Sequence, residues 1–125
     1  MRTDGNIDHI WIRVSDVDAS TRFYETVGPA AGFRIGRESG ERTQFACVSG
    51  SFSVVAGDQA TRNLHLAFAA SDNETVDRFH RKATATGYRD NGSPGERSIY
   101  HEGSYGAYVL DPDGNNVEVV NHNRG

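Results

Sequence analysis

The chain has 125 residues and a mass of 13.7 kDa, a length typical of one domain with its own core. Its composition, 36% hydrophobic and 24% charged with a formal net charge of −4, indicates a globular protein without a basic face for nucleic acid. No apolar run approaches the roughly 18 residues of a membrane span, Met1–Gly5 lacks a signal-peptide core, and the single cysteine fits a reducing compartment, so we expect a cytoplasmic protein with no membrane partner.

The first predicted element is a strand that ends at Val14. Hydrophobic and polar residues alternate along it, which places one set in the core and the other on an open face. Ile10, Ile12 and Val14 form the core set, and His9, Trp11 and Arg13 form the open set.

A short amphipathic helix is predicted next, from Ala19 through Val27. Asp16 and Asp18 offer N-caps before it, and Gly28-Pro29 is expected to end it. Three short strands separated by glycine-rich turns are predicted to follow, around Phe33 to Arg37, Thr43 to Val48 and Phe52 to Ala56.

The pattern of the first strand returns 56 residues later, since 65 − 9 = 56. His65, Ala67 and Ala69 alternate there with Leu64, Leu66 and Phe68, and the same offset aligns Asp16 with Asp72, Arg22 with Arg78 and Phe23 with Phe79. Matches at one fixed offset indicate a duplicated unit. We predict two units of strand, helix and three strands, about residues 6–58 and 62–122, within a single domain of residues 1–125.

The second unit ends in a predicted hairpin. Asp-Pro-Asp-Gly at 111–114 has the residues of a tight turn, and strand-forming segments flank it. Glu118 stands out because it is a carboxylate in a valine-rich strand, where a charge is costly unless it is paired or bound to a cation. The remaining extended segments are predicted at Tyr88 to Asn91, Arg97 to Tyr100, Gly106 to Leu110 and Asn116 to His122.

The repeat also predicts a metal site. Each unit leaves one sheet face uncovered by its own helix, so the two units are expected to pack side by side around a shared concavity. His9 and His65 then lie at equivalent places, with Glu118 on the same inner surface. Two imidazoles and one carboxylate form a set suited to Fe(II), Mn(II), Ni(II) or Zn(II). The alternative is that both histidines are hydrogen-bonded strand residues and that Glu118 pairs with a cation such as Arg13.

Several stretches together resemble the vicinal oxygen chelate superfamily, over nearly the whole chain. They are Asp8-His9-Ile10, the run from Ser15 to Tyr24, Leu64-His65-Leu66, and the run from Leu110 to Glu118. The superfamily includes glyoxalase I, extradiol dioxygenases, fosfomycin-modifying thiol transferases and bleomycin-resistance proteins. The resemblance implies an α+β fold of paired βαβββ units in a curved mixed sheet around a metal-binding cavity, with His9, His65 and Glu118 as the metal ligands.

The resemblance leaves the reaction open between two chemistries. In glyoxalase-like members a fourth ligand comes from the first unit, and Ser53 occupies that place here, which weakens a glyoxalase I assignment. The spacing from His101 to Tyr108 to Glu118 resembles the extradiol dioxygenase signature, apart from Ala107 at a place usually held by a bulkier residue. The resemblance implies that His101 acts as the acid or base and that Tyr108 orients a metal-bound oxygen.

The expected activity is therefore that of a metal-dependent enzyme, dioxygenase-like or lyase-like, acting on a small oxygen-rich molecule. Members of this family are usually homodimers, so we expect a homodimer here. Trp11 and Arg13 face the same cavity and are predicted to bind substrate, although Arg13 could instead form a structural ion pair. Two alternatives from the same superfamily are a metal-free protein that sequesters a drug or another small molecule and a fosfomycin-type thiol transferase, which the bulky Trp11 disfavours.

Overall fold

The computed structural model describes residues 1–124, so Gly125, which the predicted domain includes, lies outside the described residues. The first half of the chain is a βαβββ unit. Its elements are β1 (His9–Val14), α1 (Val17–Ala31), β2 (Arg34–Glu38), β3 (Arg42–Ala46) and β4 (Ser51–Ala56).

The second half repeats this order. Its elements are β5 (His65–Ala69), α2 (Asn73–Thr86), β6 (Arg89–Glu96), β7 (Tyr105–Leu110) and β8 (Asn116–Asn121). Each helix starts at an aspartate whose carboxylate accepts a hydrogen bond from the third amide beyond it, Asp16 from Ala19 and Asp72 from Thr75. The predicted α+β fold of two βαβββ units is confirmed.

Each unit folds into its own curved, four-stranded mixed sheet. The strand order is β1-β4-β3-β2 in the first sheet and β5-β8-β7-β6 in the second. In both sheets the first strand runs parallel to the last strand of its unit, and the other pairs are antiparallel. The two units, offset by 56 residues in sequence, therefore share the same sheet topology as well.

The core lies between the sheets and the helices. One face of each sheet packs on its own helix, and α1 packs against α2. Aromatic rings join the two units, with the centroid of Phe68 on β5 lying 4.7 Å from that of Phe33 and 5.6 Å from that of Phe52. Among residues 1–124, no helix is long and apolar enough to cross a membrane.

Several details of the predicted elements are wrong. Helix α1 does not end at Gly28-Pro29, since Pro29 lies inside it and Gly32 caps it. The proline removes one backbone hydrogen bond, but burial of Val27 and Ala31 against the core outweighs that loss. The predicted strand from Arg97 to Tyr100 is instead a turn, closed by a 2.9 Å bond from the Tyr100 amide to the Arg97 carbonyl, and β6 continues to Glu96.

Candidate metal centre

The Asp-Pro-Asp-Gly turn fixes where β8 begins. The Gly114 amide donates to the Asp111 carbonyl at 2.9 Å, and Gly114 has a φ of 86°, which glycine adopts without strain. The buried Asp111 carboxylate accepts hydrogen bonds from the Asn115 amide at 2.9 Å and from the Tyr24 hydroxyl at 2.8 Å. Since Tyr24 belongs to α1, the first unit holds the turn that positions the last strand of the second.

Glu118 and His65 meet on the open face of the second sheet. The register pairs Glu118 with Ala67 of β5, and His65 lies two residues earlier on the same face. Nε2 of His65 lies 2.7 Å from Oε1 of Glu118. The carboxylate is nearly buried, with 9% of its side chain exposed, whereas the imidazole is 49% exposed. The pair is thus a buried anion with an accessible imidazole at its rim.

Strand β7 completes the surroundings of Glu118. Tyr108 lies opposite Glu118 in the ladder, and a Cβ placed on Gly106 would lie 3.0 Å from Oε2 of Glu118. Glycine at that position therefore leaves room for the carboxylate. Burial raises the pKa of Tyr108, and the negative charge of Glu118 raises it further. The phenol accordingly stays protonated beside the carboxylate at neutral pH.

His9 lies on the other sheet, exposed on the open face of β1. Its Nδ1 lies 2.9 Å from Oδ1 of Asp8. This contact orients the ring through Nδ1 and does not involve Nε2, the nitrogen that could bind a metal. Within residues 1–124 of one chain, no group of three His, Cys, Asp or Glu side chains is placed to hold a metal ion. One chain therefore brings His65 and Glu118 together and leaves His9 apart from them.

The register also identifies the counterpart of Glu118 in the first unit. Trp11 pairs with Ser53 as Ala67 pairs with Glu118, so Ser53 holds the equivalent position. A hydroxyl in place of a carboxylate means that the first sheet offers one imidazole to a metal and no anionic ligand beside it. Trp11 and Arg13 are exposed on this same face, where the alternation predicted them.

His101 lies in the connection between β6 and β7. Its Nδ1 is 3.0 Å from the Glu102 carbonyl oxygen, so it donates there, and its Nε2 is 2.8 Å from Nδ1 of His122. Both ring nitrogens are therefore engaged. The catalytic roles suggested for His101 and Tyr108 stay predictions.

Two arginines on the open faces, Arg42 and Arg97, were not among the predicted site residues. Arg42 lies 4.9 Å from the centroid of the Trp11 ring, and Arg97 lies 5.3 Å from the centroid of the Tyr108 ring. The alternation along β3 was the available signal for Arg42, because it puts Arg42 and Gln44 on the face opposite Phe45. For Arg97 there was no such signal, since it follows the end of a strand.

The chain belongs to the Glyoxalase/Bleomycin resistance protein/Dioxygenase superfamily, whose model matches residues 6–119. The predicted resemblance to the vicinal oxygen chelate superfamily is thereby confirmed. The superfamily often binds divalent metals and small molecules, and its members often dimerise. No curated protein matches the sequence.

Solved structures with the same fold agree with this assignment. A glyoxalase/bleomycin resistance protein from Albidiferax ferrireducens T118 is 27% identical, with a TM-score of 0.74 over 92% of this chain and 97% of that one. A lactoylglutathione lyase from Agrobacterium tumefaciens is 22% identical, with a TM-score of 0.75 and 96% of each chain covered. A family enzyme from Burkholderia phytofirmans PsJN is 21% identical, with a TM-score of 0.75 over 94% and 98%. The last two show the shared fold alone.

Proposed function

We propose that the protein is a divalent-metal-dependent enzyme acting on a small oxygen-rich molecule, by dioxygenase-like or lyase-like chemistry. The observation that carries the proposal is the 2.7 Å contact between Nε2 of His65 and Oε1 of Glu118 on an open sheet face. An imidazole and a carboxylate this close are suited to being two ligands of one ion. His9, at the equivalent position of the other unit, supplies the third.

The metal site would be shared between two protomers. The faces carrying His9 and His65 are both exposed, and Trp11 is 51% exposed between the polar residues of the first sheet. In a twofold dimer the first sheet of one protomer faces the second sheet of the other, which brings His9 of one chain to the His65 and Glu118 of its partner. The same contact covers Trp11.

The residues around the pair support distinct tasks. A bound Fe(II), Mn(II), Ni(II) or Zn(II) ion would act as a Lewis acid toward two adjacent oxygens of the substrate. The Glu118 carboxylate is nearly buried, and the protonated Tyr108 hydroxyl beside it can donate a hydrogen bond to a substrate oxygen. His101 can serve as acid or base only after its Nε2 leaves His122.

Metal binding tests the proposal first. Wild-type protein is compared with His9→Ala, His65→Ala and Glu118→Ala for uptake of each of the four ions, and we expect all three variants to bind more weakly. His80→Ala is the matched control, since His80 lies on α2 and contacts Asp90 at 2.8 Å. Equal metal binding by wild type and the three site variants would contradict the proposal.

Mixing two inactive variants tests whether the site is shared. If His9 acts across the dimer, a mixed dimer of His9→Ala and Glu118→Ala chains regains one intact site, and metal binding returns. If all three ligands act within one chain, every chain in the mixture is defective and nothing is regained.

Two assays distinguish the chemistries. Protein reconstituted anaerobically with Fe(II) is given oxygen and catechols, and yellow ring-cleavage products would support the dioxygenase branch. Protein loaded with Ni(II) or Zn(II) is given the hemithioacetal of methylglyoxal for the lyase branch. Turnover in the second assay alone would remove the roles proposed for His101 and Tyr108.

A metal-free binding protein is the second candidate function. It is favoured by the separation of His9 from His65 and Glu118 within one chain and by the exposed ring of Trp11 on the open face of the first sheet. In that case the variants would leave metal binding unchanged at a negligible level, while a hydrophobic ligand would still bind. A fosfomycin-type thiol transferase stays disfavoured by the bulk of Trp11.

A further inference from the structure

Arg42, the first residue of β3, lies on the first sheet's open face. It projects from β3 across β4, where its Nη1 lies 3.5 Å from the Ser53 hydroxyl oxygen, and its guanidinium stacks on Trp11 at 4.9 Å from the ring centroid. Ser53 is 2% exposed and holds the place that Glu118 holds in the second unit. A cation therefore reaches the position where the other unit has a carboxylate.

The charge of Arg42 has no counterion within residues 1–124. Its guanidinium forms no ion pair with any carboxylate there, since the ion pairs involve Arg2, His9, His65 and His80. Arg42 is half-buried, and arginines removed from water are usually paired. The guanidinium lies over the Trp11 ring and donates from Nη1 to Ser53, and a guanidinium carries four further N–H donors for an acceptor.

The cavity in front of Arg42 suits a small monoanion. Its volume is about 270 Å³, and besides Arg42 it is lined by Asp8, His9, Trp11, Gln44, Ser51 and Ser53. The hydroxyls and the amide are neutral groups that can hydrogen-bond a ligand. Asp8 contacts His9, and its side chain is 93% exposed, so it does not neutralise Arg42. One guanidinium without a lysine or second arginine in the lining matches a carboxylate better than a doubly charged phosphate.

We propose that Arg42, stacked on Trp11 and backed by Ser53 and Gln44, binds the carboxylate of a small organic acid. This inference rests on the proposed function in one respect, namely that the bound acid is the substrate of the metal site. Because His9 lines the same cavity, the carboxylate would anchor a molecule whose other oxygens face the metal ligands. The substrate class is then an oxygen-rich small molecule that bears a carboxylate.

The single tryptophan of the chain makes the site directly observable, since Trp11 lies under Arg42. Metal-free protein, kept in chelator, is titrated with benzoate while Trp11 fluorescence is followed, and calorimetry measures the same binding independently. Benzamide, which has the same shape without the charge, and inorganic phosphate are titrated in parallel. We expect benzoate to bind at least tenfold more tightly than benzamide and more tightly than phosphate.

Two substitutions at Arg42 then test the residue. Arg42→Gln should weaken benzoate binding roughly tenfold to a hundredfold, and Arg42→Lys should fall between it and wild type because lysine keeps the charge but loses the planar fork. Arg81→Gln on the exposed surface of α2 removes the same charge elsewhere and should leave benzoate binding unchanged. Circular dichroism establishes whether each variant is folded. If Arg42→Gln does not fold, the comparison of Arg42→Lys with wild type tests the residue by itself.

Three results would overturn the inference. They are equal binding of benzoate and benzamide, tighter binding of phosphate than of benzoate, and unchanged benzoate binding in folded Arg42 variants. Its failure is separable from failure of the proposed function. Carboxylate binding is measured without metal and metal uptake without carboxylate, so loss of one result leaves the other standing.

Discussion

The two βαβββ units have the same order of elements, and they differ most clearly at one position of the sheet register. The first unit has Ser53 there with Arg42 above it, and the second has Glu118 with His65 beside it. One open face is therefore cationic and the other holds a buried carboxylate. The duplicated scaffold has kept the backbone and changed the side chains, so that the arginine lies on one open face and the buried carboxylate on the other.

The largest expected effects test whether the two helices contribute equally to the core. Phe23 on α1 and Phe79 on α2 are equivalent in the repeat and both fully buried. Phe79→Ala should lower the free energy of unfolding by about 3–5 kcal/mol, through lost burial and the cavity left behind. Phe23→Ala should cost about 0.5–1.5 kcal/mol more, because Phe23 also packs edge-on against the rings of Tyr24 and Tyr88. Urea denaturation measures both, and a smaller loss for Phe23→Ala would contradict the ranking.

Glu118→Ser gives the second unit the residue that the first unit has at the differing position, and it removes one proposed metal ligand. Glu118→Ser leaves His65 without its carboxylate, and we expect the affinity for a divalent ion to fall by about 100-fold or more. Calorimetric titration measures the change. Asn116→Ser, on the same strand and face, is the matched control, and an equal loss in that variant would show that the strand as a whole, and not the carboxylate, was responsible.

Breaking the hydrogen bond between Tyr24 and Asp111, which links the two units, should have a smaller but measurable effect on stability. Tyr24→Phe removes the 2.8 Å hydrogen bond to Asp111 and leaves a buried carboxylate oxygen without that donor, which should cost about 1–3 kcal/mol of stability. Tyr88→Phe is the control, because the Tyr88 hydroxyl makes no side-chain hydrogen bond within residues 1–124. Thermal unfolding of both variants gives the difference, and equal midpoints would mean that the turn does not depend on Tyr24.

Much of this fold was available from the sequence, and the reason is the repeat. The alternation around His9 and around His65 fixed which residues face the core, and the Asp-Pro-Asp-Gly turn fixed the last hairpin. The end of α1 was missed because a proline signal was overridden by burial of the turn that contains it. The strand expected from Arg97 to Tyr100 was wrong, because local β propensity at Ile99 and Tyr100 does not report the turn bond from the Tyr100 amide to the Arg97 carbonyl.

The site was predictable only where its residues belong to one sheet. His65 and Glu118 lie on neighbouring strands, so alternation and parallel pairing bring them together. Whether His9 joins them depends on how the two units pack, and that packing is decided by the interior surfaces of the helices and by Phe68, which carry no information about the open faces. Arg42 was missed for a related reason, since its contact with Trp11 spans β3, β4 and β1.

The smallest effects compare the two helix N-caps. Asp16→Ala should cost about 1 kcal/mol of stability through loss of the bond from the Ala19 amide. Asp72→Ala should be destabilising too, and here the effect depends on pH. Hydrogen bonds from Thr75 hold the pKa of Asp72 below its ordinary value. The ionised cap therefore stabilises the fold above the unfolded pKa of about 3.9, and this contribution is lost as the pH falls through the lower folded pKa.

The destabilisation caused by Asp72→Ala should accordingly be full at neutral pH and shrink below about pH 4. Urea denaturation of wild type and variant at a series of pH values measures it. Asp58→Ala, which removes an exposed carboxylate outside the helices, controls for the change in net charge. If the Asp72→Ala difference stayed constant through the acid range, the carboxylate charge would be irrelevant to the cap, and the second helix would depend on its buried face alone.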